Sequence, residues 1–252
     1  MNILIFDLET RPTEAYVWSA WKQNVAPNQV IEHGRVICWC AKWYGEKKIH
    51  FGAEWDPTIN GEDFIYRLAA MMDQADAILT YNGDKFDVPV LNTELMKRGL
   101  NPSAPSKSID MYKVVKKNFR LFHGRMDSVA KALGIDGKLD TGGMQLWIDV
   151  MNGKKKARKD MEKYNRQDIV VLEEIYLKLR GWIKNHPTTD AVVSRHTGPT
   201  CPNCGGEHMQ KRGFHYTKVS KFQRYQCTDC GSWHRGRDNL NGKENRKEIV
   251  TL

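Results

Sequence analysis

The chain opens on an apolar run, NILIF at residues 2–6, the pattern of a central strand covered on both faces. FDLET, residues 6–10, continues it. Apolar stretches at Val36–Trp43 and Lys48–Phe51, joined by YGEK, predict two further strands linked by a hairpin-like turn. Helical periodicity runs from Gly61 to Met72, and the short strand AILTY follows at residues 77–81. After NGDKFD the helical period returns from Val88 to Lys97, stopped by Gly99 and Pro102. SID at 108–110 ends one more strand, and helical pattern dominates from there to Trp182. Three strands, helix, strand, helix, strand and then helices is the order of a mixed α/β domain built on one central sheet.

The pattern changes after residue 184. Residues 185–199, with two prolines and little helical period, read as a linker. Residues 200–237 form a small cysteine-rich, β-rich module, and 238–252 a polar tail whose stretch Asn239–Glu248 needs no fixed structure. The first 184 residues are long enough to bury a sheet-centred core. No run of about 18 apolar residues occurs, so no membrane-spanning helix and no membrane partner is expected. The N-terminus enters a strand with an acidic end instead of a basic, apolar leader, and the expected setting is a reducing cytoplasm. The formal net charge is +9, and residues 187–252 hold eleven Lys and Arg against six Asp and Glu. That surplus favours a polyanionic partner, while plain solubility would also account for it.

Two acids sit on the opening strand. Side chains alternate across a strand, so Asp7 and Glu9 point to one face. Two like charges there repel and lose hydration unless a cation compensates. Asp87, at the start of the helix after NGDKFD, reads as a helix cap or as a third acid of the same site. Asp84, in the same turn, reads as a solvated loop residue, and Asp110, at the end of SID, as a helix N-cap. In EKYNRQDIVVLEEIYLKL, residues 162–179, Tyr164 and Asp168 lie one helical turn apart on one face. Acids at the ends of three elements, together with Glu9, make four carboxylates that an α/β fold can gather at one sheet edge. Such a set suits hard divalent ions such as Mg²⁺.

FDLET, NGDKFD and YNRQD, in this order within residues 1–182, resemble the three motifs of the DnaQ-like DEDD exonucleases, which have a ribonuclease-H-like fold. The Tyr-x-x-x-Asp form of the third resembles the tyrosine subgroup, and phage and bacterial members with a stand-alone domain look closest. The resemblance implies a 3′–5′ exonuclease that releases mononucleotides using two Mg²⁺ or Mn²⁺ ions, with single-stranded DNA the first expected substrate and RNA the second. It implies that Asp7, Glu9 and Asp168 hold the ion that activates water, with Asp7 shared to a second ion beside the leaving oxygen. It also implies that Asp87 completes the set through a metal-bound water and that the Tyr164 hydroxyl orients the attacking water. Replication or repair proteins are the expected partners that present the strand. A haloacid-dehalogenase-like phosphatase is the other enzyme class, because FDLET resembles its Asp-x-Asp-x-Thr strand end. Glu9 departs from that pattern, and NGDKFD and YNRQD then go unexplained. The non-enzyme alternative is an inert nuclease scaffold carrying a zinc-ribbon nucleic-acid binder, and the intact acidic set argues against it.

KVVKKNFRLFHGR, residues 113–125, interleaves Lys116, Lys117, Arg120 and Arg125 with Phe119 and Phe122. The mixture suits a single-strand groove and equally a solvated helix whose phenylalanines face the core. GKKKARK, residues 153–159, reads as a basic loop touching phosphate or as a run that serves solubility, and Trp18 and Trp21 as packing residues or as lining of the substrate path. CPNCGG at 201–206 and CTDCGS at 227–232 place two C-x2-C pairs with 22 residues between them. Cys201, Cys204, Cys227 and Cys230 predict one closed structural Zn²⁺ site, and the glycine after each pair permits a tight turn. His208, His215 and His234 are surplus to four ligands, and Cys38 and Cys40, in VICWC, read as buried thiols. The segment between the pairs carries Lys211, Arg212 and Arg224 and predicts a β-hairpin. It resembles the zinc ribbons of transposase and transcription proteins and reads as a nucleic-acid grip, a protein dock or a purely structural module.

Overall fold

The computed structural model describes residues 1–56, 63–135, 142–188 and 198–242. The chain divides into two compact units, Asn2–Ile175 and Tyr176–Leu252 together with Met1. The expected helix start at Gly61, most of the expected linker (189–197) and the tail from 243 onward lie outside the described residues.

In chain order the first unit runs β1 (Ile3–Thr10), β2 (Glu14–Ala15), β3 (Val30–Glu32), β4 (Val36–Trp43), β5 (Ile49–Ala53), α1 (Phe64–Asp73), β6 (Ala77–Thr80), α2 (Asp87–Lys97) and β7 (Lys107–Asp110). Then come α3 (Met111–Asn118), α4 (Met126–Ala132), α5 (Met144–Met151) and α6 (Lys155–Leu179), which runs on past Ile175. Five strands form one sheet in the order β5-β4-β1-β6-β7. β5, β4 and β1 are antiparallel, whereas β6 and β7 join parallel to β1. The sheet is therefore mixed, with β1 at its centre.

Both faces of that sheet are covered, which is why β1 reads as an almost continuous apolar run. Leu4, Phe6 and Leu8 share a buried cluster with Trp39 of β4, Ile65 and Leu68 of α1, and Leu91 of α2. A second cluster joins Ile37 and Cys38 of β4 to Val150 of α5 and to Ala157 and Met161 of α6. Each fully buried Leu, Ile or Phe contributes about 1.5–3 kcal/mol. α1 is capped by Asp63, whose carboxylate accepts from Ile65 N at 2.7 Å, and Trp39 Nε1 donates to Phe64 O at 2.8 Å. These bonds fasten α1 to the sheet.

Sequence expectations change in this unit at the start of α6 and at two tryptophans. Residues 155–159 of GKKKARK are the first turns of α6 and not a loop. Gly153, at φ 76, ends α5 in a left-handed conformation, and the Lys, Ala and Arg that follow are good helix formers. Trp18 and Trp21 are 98% and 77% exposed, so neither packs in the core. They sit between β2 and β3 in a segment held by local bonds, such as Trp21 N to Ser19 Oγ.

The second unit holds β8 (Met209–Tyr216), β9 (Lys221–Cys227) and β10 (Trp233–Asn239), an antiparallel sheet in the order β10-β9-β8. β8 and β9 are the expected hairpin, and β10 adds a third strand to it. It reaches Asn239, so the start of the polar tail is strand. In the same unit the Tyr176 hydroxyl is hydrogen-bonded to His186 Nε2 at 2.7 Å, and Asn203 Nδ2 donates to Ile183 O at 3.3 Å. Among the described residues no helix is long and apolar enough to cross a membrane.

Candidate active site

Three carboxylates meet in the first unit. Asp7 and Glu9 project from one face of β1, Asp168 projects from the middle of α6, and one oxygen of each lies within 4.8 Å of the others. Asp168 is thus not at an element end; α6 delivers it from its interior. Glu9 and Asp168 are buried and Asp7 is half-buried. Asp7 stands opposite Cys40 and Glu9 opposite Cys38 across the β1–β4 ladder. Burial pushes both thiols up, the behaviour expected of enclosed, unreactive cysteines.

Asp87 approaches the same place from α2 but lies outside the three-carboxylate group. It is the first residue of α2, almost fully buried, and its Oδ1 accepts from Leu8 N at 3.1 Å. The turn before it is tightly built. Asn82 adopts a left-handed φ of 68, and its N donates to Asp110 Oδ1 at 2.9 Å. A Cβ on Gly83 would come within 2.3 Å of Thr80 Oγ1. Asp110 caps α3 as read, accepting from Tyr112 N at 3.0 Å. Asp84 is not merely solvated. It pairs with Lys113 and accepts from Ser108, because β7 and α3 bring both donors to the turn. Burial raises its pKa, but these bonds outweigh burial and leave it below the usual carboxylate value.

The electrostatics follow from this crowding. Burial, then the charges of Asp87, Glu9 and Asp168, push the Asp7 carboxyl well above its ordinary range. Asn165 opposes them by donating from Nδ2 to Asp7 Oδ2 at 2.7 Å. Burial also raises Asp87 to about 6 against the pull of the Leu8 N–H and its own N–H. Burial and the neighbouring Asp168 and Glu9 push Tyr164 up, so its hydroxyl stays protonated and bonded to Asp168. Its ring stands edge-on to Trp147 at 6.2 Å. Asn165, fully buried, was missed from sequence. The available signal was its place in YNRQD, three residues before Asp168 and hence on the same helix face. Three hard oxygen donors, mutually repelling and poorly hydrated, fit a Mg²⁺ or Mn²⁺ ion, and among the described residues no soft ligand joins the group.

The basic and aromatic residues of 113–125 are mostly at the surface. Lys116 and Lys117 occupy the last turn of α3, and Arg120 and Arg125 are exposed, with Arg125 at the N-cap of α4. Phe119 is half-buried and Phe122 is 96% exposed, so the phenylalanines do not both face the core. Arg125, Lys85, Tyr81 and Tyr112 line a cavity of about 560 Å³.

In the second unit the four cysteine sulfurs lie within 4.8 Å of one another, with Cys201–Cys230 and Cys204–Cys227 each 3.7 Å apart. Zn–S bonds of about 2.3 Å in a tetrahedron give sulfurs roughly 3.8 Å apart, so the donor set fits Zn²⁺. Gly205 and Gly231 both take φ 76, the left-handed turn after each pair. Burial would raise Cys201, but hydrogen bonds from His234 and Ser232 win and lower it to about 5. Burial pushes Cys204 and Cys227 up. Lys211, Arg212 and Arg224 are exposed on β8 and β9.

Residues 31–180 match the family model RNase_H_2, described as RNase_H superfamily. The matched span contains Asp87, Tyr164 and Asp168 and begins after Asp7 and Glu9. No curated protein matches the chain. Among the solved structures that match is the family B DNA polymerase from the hyperthermophilic archaeon Pyrobaculum calidifontis, at a TM-score of 0.49 and 16% identity over 70% of this chain. The match spans 24% of the polymerase's length.

Proposed function

The chain belongs to the RNase H superfamily, and from that premise we propose that it is a metal-dependent 3′–5′ exonuclease acting on single-stranded nucleic acid, DNA before RNA. The observation that carries this reading is the convergence of the Asp7, Glu9 and Asp168 carboxylates within 4.8 Å. Polarity, mononucleotide release and the two-ion arrangement come from the resemblance of FDLET, NGDKFD and YNRQD to the tyrosine-type DEDD motifs.

Asp7, Glu9 and Asp168 would hold the divalent ions, Mg²⁺ or Mn²⁺. When bound, these supply the charge that acidifies a water and offsets the negative charge on the leaving oxygen. Asn165 fixes the rotamer of Asp7 through its 2.7 Å bond. Tyr164, kept protonated and donating to Asp168, presents a hydroxyl oxygen able to accept from, and so orient, a water near Asp168. Asp87 steadies β1 through Leu8 N, so the strand that bears two ligands is held at the site. Lys116, Lys117, Phe119, Arg120 and Arg125 would contact the incoming strand, and the Zn²⁺-bound module, through Lys211, Arg212 and Arg224, would assist substrate or partner binding. Replication or repair proteins would present the 3′ end.

Degradation of matched 5′-labelled single-stranded DNA and RNA, with Mg²⁺ or Mn²⁺ against EDTA, tests the reading on wild type and Asp7→Ala. A ladder that shortens from the 3′ end, lost in EDTA and in the variant, is expected, with DNA the faster substrate. Intact substrate under every condition would sink the enzyme and leave the inert binder.

A further inference from the structure

The three strands of the second unit present two unlike faces. Along β9, Phe222, Arg224 and Gln226 share one face, and Lys221, Gln223, Tyr225 and Cys227 the other. The ladders extend each set, because directly opposed residues lie on one side of the sheet. His215 stands opposite Phe222, Arg235 opposite Arg224, and Trp233 opposite Gln226. The Cys227 face therefore belongs to the thiolate cluster at its end, with His234 opposite Tyr225. The Phe222 face carries none of the four cysteines, and β10 shows the consequence: Trp233, Arg235 and Arg237 are exposed, while His234 and Gly236 between them are half-buried.

On that face cations and rings interleave across the strands. The Arg235 guanidinium lies 4.1 Å from the centre of the Phe222 ring. The Arg224 guanidinium lies 5.1 Å from the centre of the Trp233 ring, which is 51% exposed. His215 tilts against Phe222 at 6.5 Å. Counted over both faces of the three strands, Lys211, Arg212, Lys221, Arg224, Arg235 and Arg237 stand against a single acid, Asp238, and Arg224 and Arg235 lie on the Phe222 face, opposite one another. Beside Phe222 a cavity of about 440 Å³ is lined by Ser220, Arg235, Gly236, Arg237 and Asn239.

We propose that the Phe222–Arg224–Trp233–Arg235 face is a stacking platform for single-stranded nucleic acid. The proposal rests on the nuclease reading for its choice of ligand and adds a second binding site with its own residues. Cations spaced along the strands meet backbone phosphates. The exposed Trp233 ring and the guanidinium planes of Arg224 and Arg235, the latter lying over half-buried Phe222, accept the faces of unpaired bases. An acidic peptide would satisfy the charges but leave the rings without planar partners. A paired duplex hides the base faces that they need.

The test is fluorescence anisotropy of the full zinc-loaded chain carrying Asp7→Ala, so that nothing is cut, with labelled oligo(dT), oligo(rU), duplex DNA and a polyglutamate peptide. Trp233→Ala is expected to weaken oligo(dT) binding about 5- to 100-fold, with Trp233→Phe restoring most of it. Arg235→Ala is expected to lower the slope of log K against log salt by about 0.7, one phosphate's share on a single strand. Lys221→Ala, on the opposite face, is expected to change neither, and zinc content verifies that each variant keeps its fold. Equal losses from Lys221→Ala and Arg235→Ala, no effect of Trp233→Ala, or tighter binding of the duplex or peptide would overturn the platform. Cleavage is not read here. A wild type that degrades nothing would sink the nuclease and leave this result standing, whereas face-independent binding by an active nuclease would sink the platform alone.

Discussion

Asn165 and Asp7, 158 residues apart, are joined by a 2.7 Å hydrogen bond from Nδ2 to Oδ2. It ties α6 to β1 at the carboxylate cluster and opposes the crowding that drives the Asp7 pKa upward. Removing it should act twice. Asn165→Ala is expected to cost about 10- to 100-fold in activity, the usual effect of losing a group that orients a metal ligand. It should also move the acid limb of the pH–rate profile to higher pH, because Asp7 then ionises later. A fall in kcat with an unmoved acid limb would mean that Asn165 serves packing and not the carboxylate.

Burial of Asp87 makes the metal-free fold sensitive to pH. Burial raises Asp87 in the folded chain from 3.8 to about 6. A carboxyl whose folded pKa is raised contributes stability that is fully present below its unfolded value and lost as pH rises through the folded one. Asp87→Asn keeps an acceptor for Leu8 N and removes the titration. In metal-free buffer its Tm relative to wild type should therefore climb between pH 4 and pH 7, by an equivalent on the order of 1–3 kcal/mol. Mg²⁺ should narrow the gap. A difference that stays flat across this range would show that Asp87 does not titrate with folding.

Much of this was legible from the chain, for reasons that differ by residue. β1 could be read because a strand covered on both faces must be apolar throughout, so Asp7 and Glu9 stood out against NILIF. Asp110 could be read because a cap is a local matter of one side chain and the N–H groups two and three residues on, those of Tyr112 and Lys113. Asn165 could not, since its partner lies on a strand at the far end of the sequence. The partner of Asp84 is hidden from sequence for the same reason, as Lys113 reaches it only once α3 is in place. The start of α6 was hidden by its lysines, which suit a solvated helix as well as a loop. β10 was hidden because WHRGRDN has one large apolar residue in seven and no buried face to give it a period. For Trp18 and Trp21 residue type favoured packing, and nothing local reports that their segment has no core to enter.

Gly83 is constrained by space and not by its own backbone angle. A methyl group there would meet the Thr80 side chain at 2.3 to 2.7 Å, and Thr80 is itself fully buried and has no room to withdraw. Gly83→Ala should cost about 1–3 kcal/mol in urea unfolding, the range for an overpacked site. It should also reduce cleavage, because the turn it displaces delivers Asp87 to Leu8 N. Gly45→Ala is the contrast. Nothing lies within 4 Å of its added Cβ, and only its φ of 86 resists substitution, so stability should fall while activity at saturating Mg²⁺ does not. Unchanged cleavage in Gly83→Ala would show that the turn tolerates the shift without moving Asp87.

Zinc should hold the second unit and not the first. β8, β9 and β10 bury little: Met209–Tyr216 is exposed at nearly every position, and the enclosed positions in the cysteine turns are Cys201, Asn203, Cys227 and Ser232. A sheet with so small a core needs a staple, and structural zinc supplies on the order of 10–16 kcal/mol of apparent binding energy to small modules of this kind. Metal analysis should find one zinc per chain, lost in Cys227→Ser. Stripping it should expose Lys211, Arg224 and Arg235 to trypsin within minutes, while a fragment containing Asn2–Ile175 survives and still cuts short oligonucleotides with Mg²⁺. That fragment buries Leu4, Phe6, Trp39 and Ile65 without any thiolate, so its stability has no zinc to lose. Protection of the three basic strands after zinc removal would place their stability elsewhere, and simultaneous loss of the larger fragment would mean that the two units unfold as one.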